Sequence, residues 1–307
     1  MIYVKIQGGL GNQLYQMFFG YELASILKRE VVFDYTRIAG GWEDKDKEEK
    51  LQSRYRPLAL SLYGSIDNQF KTFSRLNWEK DENFHFFIEP RIVDTENYID
   101  FWKNIKNLIE DLKSVDGDKP IYVDGHWQSY PFEDRHLEYF KKYLDQIEAP
   151  DSQIKYAIET AKISCCINVR RGDYLTHYKG FFHECKMDYF RSAMDKLDSI
   201  YKNTDIQYFV FSDDIEWCKE NFRGENITIV DHEFAGEKFT HYLDLMRRCT
   251  HYIIPNSTFA IWSAITTKSK MPMVFAPNKW YENRDEIPNP LRNSIAKNVT
   301  KDWFIVE

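Results

Sequence analysis

Three glycines fall within four positions near the start of the chain: Gly8, Gly9 and Gly11 in KIQGGLGNQLYQ, Lys5 to Gln16. Glycine takes up positive φ without penalty and lets a ligand approach the main chain. A helix starting directly behind such a turn adds unpaired N–H groups and the positive end of its dipole. The pattern suits an anion such as phosphate. It equally suits a tight turn between strand and helix, and the residues alone leave both open. The run is not G-x-G-x-x-G, and no Lys-Ser/Thr follows it, which weakens ordinary dinucleotide and nucleoside triphosphatase readings.

A second group lies in INVRRGDYL, which ends an apolar run. Side chains alternate along a strand, so Arg170 and Arg171 should face opposite sides, one toward a ligand and one toward the structure. A guanidinium fork matches phosphate oxygens two at a time. The competing reading is an ion pair, with Asp173 as the nearest carboxylate. A third group lies in HYLDLMRRCTHYIIPNSTFAIW. Asp244 there can accept two N–H donors, as from a guanine edge, or can bridge to Arg247 or Arg248 along a helix. Ser257 and Thr258 begin the following helix as an N-cap, and that same helix end can hold a second phosphate. Asp213 and Asp214 after VFS read as an N-cap and a structural carboxylate.

These residues need a scaffold, and the apolar periodicity describes one. IYVKI and VVFDYT read as strands flanking a helix in which Leu14, Tyr15, Phe18, Phe19, Leu23, Ile26 and Leu27 recur at helical spacing. Residues 38–60 are a charged loop, and the stretch to about 118 reads as helices with irregular links. IYVDGHWQSYPF is a strand with a loop after it. Residues 133–150 read as helical, ending near EAPD at a domain boundary. From there five strands (ISCCINV, QYFVFS, ITIV, HYIIP, PMVFAP) alternate with four helices, the pattern of a parallel doubly wound sheet. Such sheets bind ligands beyond the carboxyl ends of their strands, where Arg170 and Ser257 both stand. The expected domains are 1–150 and 151–307, with the last twenty or so residues packing back on the first.

Composition sets outer limits. The 307 residues carry 48 acidic against 41 basic side chains, a net charge of −7 that lacks the basic excess of a general nucleic-acid binder. The chain is 43% apolar, which is a globular composition. Five cysteines without a metal-type spacing suit reduced thiols, with Cys165 and Cys166 as small core residues. No stretch has the length of a membrane span and MIYVKIQGG does not read as a signal peptide, so the expected location is cytoplasmic, with at most peripheral membrane association.

Taken in order, GGLGNQLYQ, YVDGHWQS, VRRGDYL, YFVFSDDIEWCKENF and LDLMRRCTHYIIPNSTFAIWSA resemble the α-1,2-fucosyltransferase family, glycosyltransferase family 11, over nearly the whole chain. One departure is Asn168, where the family usually carries His two residues before the first Arg; an acid/base role for His at this place is excluded. The resemblance implies an α/β, GT-B-like architecture of two Rossmann-like domains facing a cleft. It implies inverting transfer of fucose from GDP-β-L-fucose to a terminal β-galactoside. Arg170 would bind the donor diphosphate. Gly9, Gly11, Asn12 and Gln13 would line a phosphate-facing loop, Asn168 and Asp244 would lie by the guanine, and Ser257, Thr258 and Phe259 would hold phosphates from the helix side.

For the acceptor hydroxyl, Asp173 is the first candidate base and Glu184 a weaker one; an ion pair orienting Arg170 or Arg171 is the alternative for Asp173. His126, Trp127 and Gln128 are candidate acceptor contacts, with domain packing the alternative for Trp127. The D-x-D spellings at Asp44–Asp46 and Asp116–Asp118 follow no apolar strand, so no metal or other cofactor is expected. A protein or core-glycan acceptor, a nucleotide-binding protein without chemistry and a glycoside hydrolase are the rival functions.

Overall fold

Alternating apolar strands and amphipathic helices build two parallel sheets in this protein. Its computed structural model describes residues 1–35, 70–71, 83–89, 98–128, 134–202, 204–236, 239–282 and 303–306. The whole 38–60 charge run, with Asp44–Asp46, lies outside them. The chain divides into two units, Met1–Gln146 and Ile147–Glu307.

In the first unit, β1 (Ile2–Lys5) leads through the glycines into α1 (Leu10–Leu27) and β2 (Val31–Asp34). Leu14, Tyr15, Phe18, Phe19 and Leu23 are all buried, as their spacing requires, whereas Ile26 at the end of the run is exposed. The helix stops at Lys28, which takes the left-handed conformation (φ 54°) and returns its N–H to Ala24 O. After β3 (Phe70–Lys71) come β4 (His85–Ile88), α2 (Tyr98–Leu112), β5 (Ile121–Asp124) and α3 (Asp134–Leu144). The sheet order is β3-β2-β1-β5-β4. Two of its strands, β3 and β4, fall in the stretch whose aromatic and charged composition suggested helices. In β4 the edge position explains the misreading, since Ile88 is 63% exposed and the pattern is not cleanly apolar.

The second unit opens with α4 (Gln153–Thr160), capped by the Ser152 hydroxyl accepting from Lys155 N. Then come β6 (Ile163–Val169), the single turn α5 (Gly172–Leu175), α6 (Met187–Ile200), β7 (Ile206–Ser212) and α7 (Ile215–Asn221). They are followed by β8 (Ile227–Ile229), α8 (Thr240–Arg247), β9 (His251–Ile253), α9 (Thr258–Ile265), β10 (Val274–Pro277) and β11 (Phe304–Val306). All seven residues of β6 are buried, as expected of a central strand covered on both faces. The sheet order is β11-β10-β9-β6-β7-β8, every pairing parallel.

Phe304–Val306 form the edge strand beside β10 in the second sheet, where Phe304 stacks on Phe275 and Val306 enters this unit's core. All five cysteines are buried and unpaired. No helix among the described residues is long and apolar enough to cross a membrane.

The helix α6 covers one face of the second sheet through Phe190, Ala193 and Leu197. Phe190 is fully buried and meets Tyr189 and Phe222 edge-on, at centroid separations of 5.0 and 5.5 Å. Replacing it with alanine leaves a cavity between helix and sheet. Phe190→Ala should therefore cost about 3–5 kcal/mol in denaturant unfolding. A loss below about 1 kcal/mol would show that the site collapses without cost.

Candidate functional site

Ligands in open α/β folds bind outside the carboxyl ends of the strands, where the strand order reverses. In the second unit the reversal lies between β6 and β9. The chain leaving β6 carries Arg170, Arg171 and Gly172; that leaving β9 carries Asn256 and Ser257. Tyr174 joins the two, its hydroxyl donating to Asn256 O at 2.6 Å. Burial pushes the Tyr174 phenol well up, so it remains a donor. The Asn256 side chain in turn donates to Trp280 O at 2.7 Å.

Asp213 organises this edge. β7 lies beside β6 with Ser212 opposite Val169, so the residues that follow the two strands are neighbours. The Asp213 carboxylate accepts from Arg171 N at 2.9 Å, from Gly172 N at 3.2 Å and from Arg170 Nη1 at 2.6 Å. Arg170 Nη2 donates to Asp173 Oδ1 at 2.6 Å, and the guanidinium carbon lies 5.6 Å from the Tyr174 ring. Burial opposes the charge, but Asp213 and Asp173 outweigh it and hold the Arg170 pKa above its ordinary value. Arg171 is the brace. It bonds to Asp214 and Glu184, and its guanidinium lies 4.1 Å over Trp217. Asp214 also caps α7 by accepting from Trp217 N.

Ser257 occupies the N-cap position of α9 with extended backbone, yet its side chain makes no capping bond. The cap expected from sequence is positional only. On the same carboxyl edge, a cavity of about 220 Å³ opens among Ala149, Pro150, Ser152, Glu233, Phe234, His241 and Leu245.

In the first unit the reversal lies between β1 and β5. Gly8 has φ 80°, which a side chain would strain, and its carbonyl accepts from Gln13 Nε2 at 3.0 Å. Gln16 Oε1 accepts from Gln7 N at 2.8 Å. Beyond β5, Gln128 Nε2 donates to Asn12 Oδ1 at 2.9 Å and so ties the two loops together.

A model of the family described as Glycosyl transferase family 11 matches residues 85–304, well over half of the chain. The chain belongs to glycosyl transferase family 11. It is 25% identical to an Escherichia coli α-1,2-colitosyltransferase over 93% of this chain and 94% of that protein. A shorter span, 32% of this chain and 27% of that protein, is 34% identical to human galactoside α-(1,2)-fucosyltransferase 1. Among solved structures, the fucosyltransferase NodZ from Bradyrhizobium aligns over 87% of this chain and 92% of that one, with 13% identity and a TM-score of 0.47.

In this family-11 glycosyltransferase several expected contacts are already engaged. Asp244 is 2% exposed. Its carboxylate accepts from Lys268 Nζ at 2.8 Å, Arg248 Nε at 2.9 Å and Ala149 N at 2.9 Å. It is the centre of an ion-pair network that includes the helical bridge to Arg248. Asn168 is buried and donates to Phe211 O at 3.2 Å. Gln13 and Gly11 are buried too, Gln13 holding the glycine turn from behind, so of that group Gly9 and Asn12 alone reach partial exposure.

Trp127 is fully buried and stacks on Phe19 at 3.9 Å, which makes it a packing residue and not an acceptor platform. His126 is exposed, and Gln128, Thr258 and Phe259 are half-buried. Asp173 and Glu184 are engaged with Arg170 and Arg171, the alternative weighed for Asp173. Asp116 accepts from Asp118 N within a turn. Asp213 is the residue that sequence reading undervalued; its place directly after a strand neighbouring VRRGD was the available signal.

The Asp244 network generates a stability prediction. Burial disfavours its charge, but Lys268, the Ala149 amide and Arg248 outweigh this and hold its carboxyl below the usual range. The network therefore stabilises the fold above the unfolded carboxylate value of about 4 and is lost as pH falls through the lowered folded value. Asp244→Ala should cost about 2–4 kcal/mol at pH 7, below the full buried-pair range because Lys268 is 33% exposed. The gap between wild type and variant should narrow in acid. Equal stability of the two proteins at pH 7 in guanidinium unfolding would contradict the network.

Proposed function

We propose that this protein is an inverting transferase that moves L-fucose from GDP-β-L-fucose to the 2-hydroxyl of a terminal β-galactoside, with no metal ion required, in the cytoplasm. The observation that carries this reading is the guanidinium of Arg170, fixed by Asp213 where the strand order reverses in the second sheet. In the transfer, the acceptor oxygen attacks C1 of the sugar from the face opposite the diphosphate. The C1–O bond to phosphate breaks, and its electron pair leaves with GDP. Negative charge grows on the diphosphate, so fixed N–H donors aimed there lower the barrier most.

Arg170 supplies such donors from a partly exposed position. Diphosphate oxygens and the Asp173 carboxylate compete for the same fork. Exchange of one for the other releases Asp173 to accept the hydroxyl proton. The amino end of α9 at Ser257, Thr258 and Phe259 favours the second phosphate. The cavity beside Glu233 and His241 opens on the same edge, and a carboxylate at its wall can take the N–H edge of guanine. The first unit, with His126 and Gln128 at its own reversal, carries the acceptor.

The similarity to an α-1,2-colitosyltransferase over nearly the whole chain supports a second reading, in which the donor sugar is colitose. Both donors share the GDP leaving group and the same Arg170 chemistry. Incubation with each GDP-sugar and a panel of β-galactosides, with the product linkage read by NMR, separates the two. Transfer from neither donor would overturn the assignment.

Arg170→Lys keeps the charge but loses the fork, and should lower kcat by about 10²–10³. Near-normal turnover would remove Arg170 from this role. Activity should survive exhaustive chelation. Activity that is lost and then restored by a divalent ion alone would refute metal-independent transfer.

A further inference from the structure

At the reversal of the first sheet, the backbone after β5 is held by a carboxylate from the neighbouring edge strand. Glu89 directly follows β4. Its Oε2 accepts from His126 N at 2.7 Å and its Oε1 from Trp127 N at 3.0 Å. Trp127 adopts φ 55°, a left-handed conformation that a non-glycine residue takes only when its surroundings impose it. Gly125 lies against the same side chain: a Cβ there would fall 2.4 Å from Glu89 Cβ. The Trp127 ring is wedged between Phe19 and Phe87, at 3.9 and 5.1 Å. Gln128 is tied to Asn12 in the first turn of α1. Residues 125–128 are therefore fastened at three points, and the side chain left facing solvent among them is His126.

We propose that Glu89 is a positioning residue for the sugar acceptor, fixing the backbone from which His126 and Gln128 meet acceptor hydroxyls. The inference rests on the reading that the first unit carries the acceptor. Sugar hydroxyls are recognised by directional hydrogen bonds, and a small rotation of the peptide before His126 would misalign them. A neutral hydrogen-bonding residue does not replace Glu89, because each of its oxygens faces an N–H. Glutamine has one accepting oxygen and turns its amide nitrogen toward the other donor. Burial holds the Glu89 carboxyl above the ordinary carboxylate range, and the two amides oppose that shift by favouring the ionised form. Both oxygens are committed to main-chain donors, which assigns Glu89 to holding the loop rather than to receiving the acceptor's proton.

The test compares wild type, Glu89→Gln, His126→Ala and the double variant. Thermal unfolding checks the fold, calorimetry measures GDP binding, and initial rates give acceptor KM and kcat. Loss of one charge-assisted hydrogen bond at the loop should raise acceptor KM about tenfold in Glu89→Gln. The GDP dissociation constant and kcat should stay within about twofold. The rise in KM of the double variant should fall short of the product of the two single effects, since Glu89 acts in part through His126 and otherwise through Gln128.

An unchanged acceptor KM, or a GDP affinity that weakens in parallel, would overturn the proposal. So would a large fall in kcat at constant KM, which would make Glu89 a base. Hydrogen exchange on wild type needs no folded variant: the His126 and Trp127 amides should exchange slowly, and more slowly with saturating β-galactoside. Rates unaffected by the sugar would sink the proposal. Transfer by wild type to a non-galactoside acceptor alone would instead count against the acceptor reading, and the GDP and exchange measurements keep the two failures apart.

Discussion

One carboxylate, that of Asp213, holds the chemistry of the second unit in place. The chain leaving β6 must turn sharply into α5, and the amides at the start of any helix lack partners within it. Asp213 satisfies two of them, Arg171 N and Gly172 N, and uses its remaining capacity on Arg170. It can do so because β7 pairs with β6 in a register that sets Val169 opposite Ser212. A slip of one residue would move Asp213 to the other face. Strand register, loop conformation and the direction of a guanidinium are thus one constraint.

The charge balance around this edge shows why two arginines stand together. Arg170 and Arg171 face four carboxylates: Asp173, Asp213, Asp214 and Glu184. Arg171 is paired with two of them and packed on Trp217. Arg170 is the more exposed of the two and keeps N–H groups beyond the two it gives to carboxylates. Under the proposed reaction an incoming dianion must compete with Asp173. The pairing of Arg170 with carboxylates avoids an unpaired buried charge in the meantime.

The legible parts of the sequence were those set by local periodicity. β6 reads as a strand because Ile163–Val169 is apolar throughout, and α1 as a helix because its core residues recur at helical spacing. Phe70–Lys71 and His85–Ile88 were hidden because edge strands bury one side at most and lack that signal. At the carboxyl edge of the second sheet, the position of Arg170 was readable from its place after an apolar strand. The engagement of Asn168, and of Asp244 with Lys268, was not. Both are settled by residues remote in sequence: Lys268 lies 24 positions from Asp244, and Phe211 43 from Asn168. Trp127 was undecided for the same reason, since Phe19 and Phe87 come from other elements.

Both sheets place their polar groups where strand order reverses, and both use a carboxylate from a neighbouring strand end, but they use it on different targets. In the second unit Asp213 aims a charged side chain besides holding two amides; in the first, Glu89 gives both its oxygens to main-chain amides. The difference follows from what each edge must recognise under the proposed reaction. A diphosphate is bound by charge, which falls off slowly with distance, so one well-oriented guanidinium suffices. A neutral sugar offers only hydroxyls, whose hydrogen bonds weaken steeply with angle. Its recognition depends on a backbone that does not move, and a left-handed Trp127 pinned between two aromatic rings and a carboxylate is such a backbone.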